Sequence, residues 1–113
     1  MMLSKKNIDK IKHHSLKEKD KEVCGFIINR NGGLDIYKCK NISPTPKKHF
    51  IISYQETKLA SKYGEILGFY HSHKNNEQFS DNEKFIADYY KLPCFLYVLE
   101  KDKFLVYEPS NKQ

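Results

Sequence analysis

His71 and His73 stand two positions apart at the end of an apolar run, in the stretch GFYHSHKNNEQFSDNE that begins at Gly68. If that run is a strand, residues i and i+2 project to the same side. The two imidazoles then lie side by side while Ser72 faces the other way. Neutral imidazoles so placed form a natural grip for Zn²⁺. A catalytic zinc takes a third protein ligand and leaves its fourth position to water, whose pKa drops toward ~7. The third ligand should come from the next element, where Glu77, Asp81 and Glu83 stand. A plainer reading is open too: Ser80-x-x-Glu83 is a helix N-cap with its N3 partner, and H-x-H alone is a weak signal. The readings are compatible, because both need an acid pointing back past the helix N-terminus, where the macrodipole favours negative charge.

The elements that must position these residues follow from periodicity and turn chemistry. Residues 4–19 pattern as a helix with Ser4 as N-cap and Leu3, Ile8, Ile11 and Leu16 as a loose apolar stripe. EVCGFIIN (22–29) and LDIYKCK (34–40) pattern as strands joined at Asn31-Gly32-Gly33, a hairpin signal. Pro44 and Pro46 make NISPTPKK (41–48) a loop. HFIIS (49–53) is expected as a third strand. Ser53 and Glu56 form a capping box for a helix to about Tyr63, and Gly64 ends it. ILGFYHS (66–72) is the strand that delivers the histidines.

After a loop at 74–79, Ser80 starts a helix in which Phe85, Ile86, Tyr89 and Tyr90 give i,i+4 apolar pairs. Pro93 turns the chain into strand CFLYVLE (94–100), Lys101-Asp102-Lys103 is a tight turn, and FLVYE (104–108) closes the last hairpin. The tail PSNKQ is expected to fray. Three helices among about six strands describe an α/β mixed-sheet layer fold, one domain over residues 1–113.

Composition narrows the classes. A chain of 113 residues holds one core, and its 8 Tyr and 7 Phe can fill much of it. The net charge of +6 is almost all lysine, with Arg30 the only arginine. Lysine lacks the planar fork preferred for phosphate and base recognition, so a solvated helix face explains the basic N-terminal region better than a nucleic-acid surface. The excess suits attraction of an acidic protein partner. Cys24, Cys39 and Cys94 are odd in number and widely spaced, which points to small buried residues in a reducing compartment. No apolar run approaches the length of a membrane span and no signal-peptide core is visible, so a cytoplasmic protein is expected. His13, His14 and His49 are taken as surface or loop residues, with His49 able to flank the site.

Together, G-F-Y-H-S-H followed by S-x-x-acid resembles the JAMM motif, E…H-x-H-x7-S-x2-D, of the MPN/JAB-domain zinc metalloproteases. That family carries a distant glutamate at the head of its first core strand, in a setting such as E-x-C-G. Here Glu22-Val23-Cys24-Gly25-Phe26 occupies that place. The resemblance runs from residue 4 to 108, and the compact prokaryotic and phage JAB proteins are the most similar in outline. Departures are local. Lys74 replaces a usual proline, six residues instead of seven separate His73 from Ser80, Glu83 stands where aspartate is usual, and Phe79 replaces a proline.

What the resemblance implies is specific. The fold would be MPN/JAB-like, similar to cytidine deaminases. His71, His73 and Glu83, with Asp81 as the alternative, would hold Zn²⁺. Glu22 would be the general base, and Ser80 would donate to the oxygen that becomes negative. The reaction would be hydrolysis of a peptide or isopeptide bond after the tail of a ubiquitin-like or sulfur-carrier protein. Residues 41–53 would be a candidate sheet edge for capturing that tail. A monomer or weak dimer without specific nucleic acid is expected. Lys74 and Glu83 also motivate a second class, an MPN-like module that docks a protein without zinc. A zinc nucleoside deaminase expects H-x-E and P-C-x-x-C, and Pro93-Cys94 lacks the second cysteine.

Overall fold

The computed structural model describes residues 1–110, with elements α1 (Lys5–Lys17), β1 (Cys24–Arg30), β2 (Gly33–Cys39), α2 (Tyr54–Tyr63), β3 (Glu65–His73), α3 (Asp81–Tyr90), β4 (Cys94–Val98) and β5 (Lys103–Tyr107). A single 3-10 turn, Leu99–Lys101, joins the last two strands. The five strands form one mixed sheet in the order β2-β1-β3-β4-β5. β1 is antiparallel to both β2 and β3, β3 is parallel to β4, and β4 is antiparallel to β5. The one parallel pair needs a crossover, and α3 provides it. The radius of gyration, 13.1 Å, is that of one domain of this length.

Local chemistry explains most of the element ends. Asn31 and Gly32, with φ of 54° and 83°, form the two-residue turn between β1 and β2. Both values are positive, as a type I′ hairpin turn requires. Gly25 is needed for a different reason. A Cβ there would sit 2.3 Å from the Tyr70 ring and 2.4 Å from the Tyr37 carbonyl, so only glycine lets β1 pass its neighbours.

The pleat divides the core in two. Cys24, Phe26, Ile28, Phe69 and Cys94 pack under Ala60 of α2 and Ala87 of α3. Val23, Ile27, Tyr70, Phe95 and Tyr97 pack under Ile11 of α1. Alternation along β3 therefore sends Phe69, His71 and His73 toward α2 and α3, and Tyr70 and Ser72 toward α1. Burying a side chain the size of Ile11 contributes about 1.5–3 kcal/mol.

Several expectations are corrected. HFIIS (49–53) is not a strand. Both sides of β1 are already taken by β2 and β3, and the backbone of this segment turns instead to the side chain of Asn41. Asn41 Nδ2 donates to the carbonyls of Glu22 (2.8 Å) and His49 (3.0 Å), while its Oδ1 accepts from the amides of Ser43 (3.0 Å) and Ile51 (3.1 Å). The open edges of the sheet are β2 and β5, so residues 41–53 offer no edge strand. The strand expected over 94–100 stops at Val98, where the 3-10 turn begins.

α1 ends at Lys17, and its buried face is Asn7, Ile11, His14 and Ser15, whereas Leu16 is exposed. Each polar member of that face carries its own partner, which is why it can turn inward. Asn7 Nδ2 donates to the Leu34 carbonyl, Ser15 Oγ to the Ile11 carbonyl, and His14 Nδ1 lies 2.7 Å from the Tyr70 hydroxyl. His14 is thus a buried residue, not a surface one; His13 and His49 are exposed, as expected. The Ser53 cap is half of a box. Ser53 Oγ accepts from the Glu56 amide, but the Glu56 carboxylate takes the Lys40 amide instead of returning to Ser53.

On α3, Ile86 is half-buried, while Phe85, Tyr89 and Tyr90 are exposed, Phe85 stacking on Tyr89 and Tyr90 meeting Tyr89 edge to face. In the tail, the Ser110 amide donates to Asp88, and the rest of the expected fraying, from residue 111 on, lies outside the described residues. The cysteines are all free and buried. Among the described residues no helix is long and apolar enough to cross a membrane.

Candidate metal centre

The histidines occupy the last turn of pleat on β3, with β1 on one side and β4 on the other: His71 faces Cys24 and Leu96, and His73 faces Val98. Their ring centroids are 4.8 Å apart at an interplanar angle of 77°. His71 is completely buried, and Phe50 stacks on it at 5.0 Å and 29°, with Phe79 at 6.1 Å. Apolar walls of this kind raise the strength of every charge interaction inside them.

The third donor comes from the start of α3, where the capping box is complete. Ser80 Oγ accepts from the Glu83 amide (3.1 Å), and the Glu83 carboxylate returns through Oε1 to the Ser80 amide (2.9 Å). That arrangement leaves Oε2 free to face the imidazoles, at 3.1 Å from His71 Nε2 and 3.4 Å from His73 Nε2. One ligand atom each from His71, His73 and Glu83 lie within 4.8 Å of one another. Asp81 is exposed on the first helical residue and stays outside this group, and Glu77 pairs with Lys101 and Lys103.

The ring nitrogens are set by what lies behind them. His73 Nδ1 is 3.0 Å from the Asn76 carbonyl, which can only accept, so in the neutral ring Nδ1 carries the proton and Nε2, 3.4 Å from Glu83 Oε2, turns its lone pair to the site. His71 Nδ1 lies 3.5 Å from Cys94 Sγ. His71 Nε2 is close to Glu83 Oε2 yet is not aligned for a hydrogen bond, which makes it a buried nitrogen without a hydrogen-bonded partner. Close approach without alignment is what donors aimed at a common third atom would have. Two imidazoles and one carboxylate suit a borderline divalent ion such as Zn²⁺, and three protein ligands are the number a catalytic zinc takes. The residues fit the ion.

Glu22 borders the same space. It precedes β1, is 6% exposed, and its Oε2 lies 3.6 Å from His73 Nε2. Its Oε1 is buried without a partner. The backbone around it is pinned from three sides: the Glu22 amide donates to the Pro46 carbonyl (2.7 Å), its carbonyl accepts from Asn41, and the next amide, of Val23, donates to Ser72 Oγ (2.9 Å). Ser72, facing away from the histidines, thereby ties the end of β3 to the residue beside Glu22.

The electrostatics follow from this burial. Desolvation pushes the Glu22 carboxyl up to about 8, opposed by His73 and reinforced by Glu83. Burial lowers His71. Burial acts the same way on His73, but Glu83, the Asn76 carbonyl and Glu22 outweigh it and raise that imidazole. Burial alone would raise Glu83, and the two imidazoles beside its Oε2 hold it well below the usual carboxylate range instead. A bound cation would become the largest local charge and pull Glu22 back down.

The cleft outside is about 400 Å³, lined among others by Glu22, Lys47, His49, Lys74, Ser80 and Glu83. Asn41, Phe50, Asn76 and Cys94 all shape the site and carry no sequence signal. Each acts through a backbone bond, a ring face or, for Cys94, a thiol beside His71 Nδ1, contacts that only the folded chain brings together.

No family model matches the chain. It is 29% identical over 92 residues to the tail tip assembly protein K of Escherichia phage N15, a match that takes in 80% of this chain and 38% of that protein's length. In three dimensions the fold is similar to the solution structure of a protein from Desulfitobacterium hafniense, with a TM-score of 0.71 and 24% identity over 91% of this chain and 78% of that one.

Proposed function

We propose that the chain is a zinc-dependent hydrolase of amide bonds of the JAMM type, with an MPN/JAB-like fold. The observation that carries this reading is the convergence of His71, His73 and Glu83 within 4.8 Å, with buried Glu22 at 3.6 Å from His73 Nε2. His71 Nε2, His73 Nε2 and Glu83 Oε2 would hold the ion. When bound, zinc would polarise the scissile carbonyl and make a water acidic enough to attack at neutral pH.

The chain's own groups supply the rest. Glu22 takes the proton of the attacking water on its carboxylate and passes it to the amine nitrogen that departs, so the base is regenerated at each turnover. The Ser80 hydroxyl accepts from the Glu83 amide, which leaves its O–H free to donate to the carbonyl oxygen as charge builds there. Phe50 and Phe79 exclude water behind His71. The substrate we assign is the extended tail of a ubiquitin-like or sulfur-carrier protein.

A second reading, a docking module in a larger assembly, is favoured by the name of the phage relative, a tail tip assembly protein. Metal analysis and cleavage of a ubiquitin-like fusion separate the two. The hydrolase should carry about one zinc per chain, and Glu22→Gln should keep the metal while losing at least ~100-fold in cleavage rate. A chain without zinc that cleaves no fusion is the docking module.

A further inference from the structure

We propose that the trough across the metal centre accepts an acidic peptide, with Lys47 and Lys74 receiving carboxylates on residues beside the scissile amide. The inference rests on the hydrolase reading for the position of that amide, and it assigns the charge of the substrate. Two adjoining cavities share Glu22, Lys47 and Lys74. The larger, about 400 Å³, contains His73, Ser80 and Glu83, and the smaller, about 110 Å³, continues past Glu22 toward Lys19 and Leu99. A chain laid through both crosses Glu22 with a lysine pair at the junction.

The charges along that path are one-sided. Lys19, Lys47, Lys48 and Lys74 are all exposed, and none joins an ion pair among the described residues. Lys21, which also lines the smaller cavity, meets Glu18, and Lys5, Lys10, Lys12, Lys101 and Lys103 each meet a carboxylate elsewhere on the surface. The acids of the trough do not offset the rim. Glu22 and Glu83 are buried, and one divalent cation would balance their two negative charges. Among the described residues, Asp20 is the only exposed acid lining either cavity. With the ion in place the lysines therefore set the sign of the surface that a substrate meets. Lysine's mobile ammonium suits side-chain carboxylates at variable positions better than one fixed bidentate partner.

The test uses zinc-loaded Glu22→Gln protein, so that binding is read without turnover. Three fluorescein-labelled peptides of one length are titrated, built of Gly with Glu, Gly with Gln, or Gly with Lys. The Glu peptide should bind about tenfold tighter than the Gln peptide at low salt, since each exposed pair contributes up to about fivefold, and the gap should close as salt rises. Adding Lys47→Glu with Lys74→Glu should reverse the order in favour of the Lys peptide. Adding Lys6→Glu with Lys58→Glu, the same charge change on α1 and α2, should leave the order intact. Equal binding of the three peptides, or reversal by the distant pair as well, overturns the proposal. Zinc failing to bind while the Glu preference persists would support the acidic partner and remove the hydrolase; zinc binding without preference would do the opposite.

Discussion

The two oxygens of Glu83 are divided between tasks, Oε1 on the Ser80 amide and Oε2 toward both imidazoles. A capping box needs the reach of Glu or Gln at N3, so the methylene by which Glu83 exceeds an aspartate is what allows both contacts at once. This part of the site was legible in the sequence: i,i+2 alternation on a strand and the cap spacing brought His71, His73 and Glu83 forward together. What spacing could not decide was Asp81 against Glu83, because the outcome depends on the helix phase at the end of loop 74–79. Glu83→Gln tests the division of labour. The amide oxygen still accepts from Ser80, so helix content should stay unchanged, whereas loss of the charge should weaken zinc by at least ~100-fold, beyond what removing a supporting group costs. Asp81→Asn should leave affinity as it was. Competition with a fluorescent zinc chelator measures both, and an affinity loss confined to Asp81→Asn would move the third ligand to that residue.

At the scale of elements, what patterning captured and what it missed divide by where the backbone hydrogen bonds go. Strands β1 and β2 were visible because apolar runs and a Gly turn fix a ladder locally, and β3 because its apolar run stands between a helix-ending Gly and a polar loop. Segment 49–53 has the same apolar look, yet the His49 carbonyl and the Ile51 amide are claimed by the side chain of one buried Asn41, a pairing that no strand pattern contains. α1 failed in the complementary way. Its inward face is largely polar, and docking depends on His14, whose Nδ1 meets Tyr70 and whose Nε2 lies 3.2 Å from Glu18. Burial holds the His14 pKa below 6.5, opposed by Glu18 and reinforced by Lys38 and Lys21. The unfolded chain thus takes up this proton at a higher pH than the folded one. The contribution of His14 to stability is complete above about pH 6.5 and is lost as pH falls through that value toward the folded pKa. Thermal melts of metal-stripped protein should therefore decline more steeply below pH 6.5 in wild type than in His14→Gln, which can still bond Tyr70. Parallel declines in the two proteins would place the acid sensitivity elsewhere.

For the whole molecule, the candidate metal centre is a question of cohesion as much as of chemistry. Its donors come from β3 and α3, two elements joined only by the polar loop 74–79, and α3 buries little beyond Glu83, Ile86 and Ala87. Without an ion, two buried carboxylates share their space with two imidazoles, a costly arrangement unless protons or a cation neutralise it. An ion bound only by the folded state would tie the crossover helix to the sheet and stabilise the domain by RT ln(1 + [L]/Kd), about 2.7 kcal/mol at a free zinc concentration of 100 Kd. For a domain of this size that is a rise of roughly 10 °C in Tm. Calorimetry with zinc and then with excess chelator should show the rise appear and vanish. Glu22→Gln, which removes no ligand, should keep it. His73→Ala should lose it, even if its metal-free melting point is lower to begin with, because the comparison is made within each protein. A Tm indifferent to zinc in the wild-type chain, or one that rises equally in His73→Ala, would mean that β3 and α3 are held together by packing alone and that the cluster is a buried polar network.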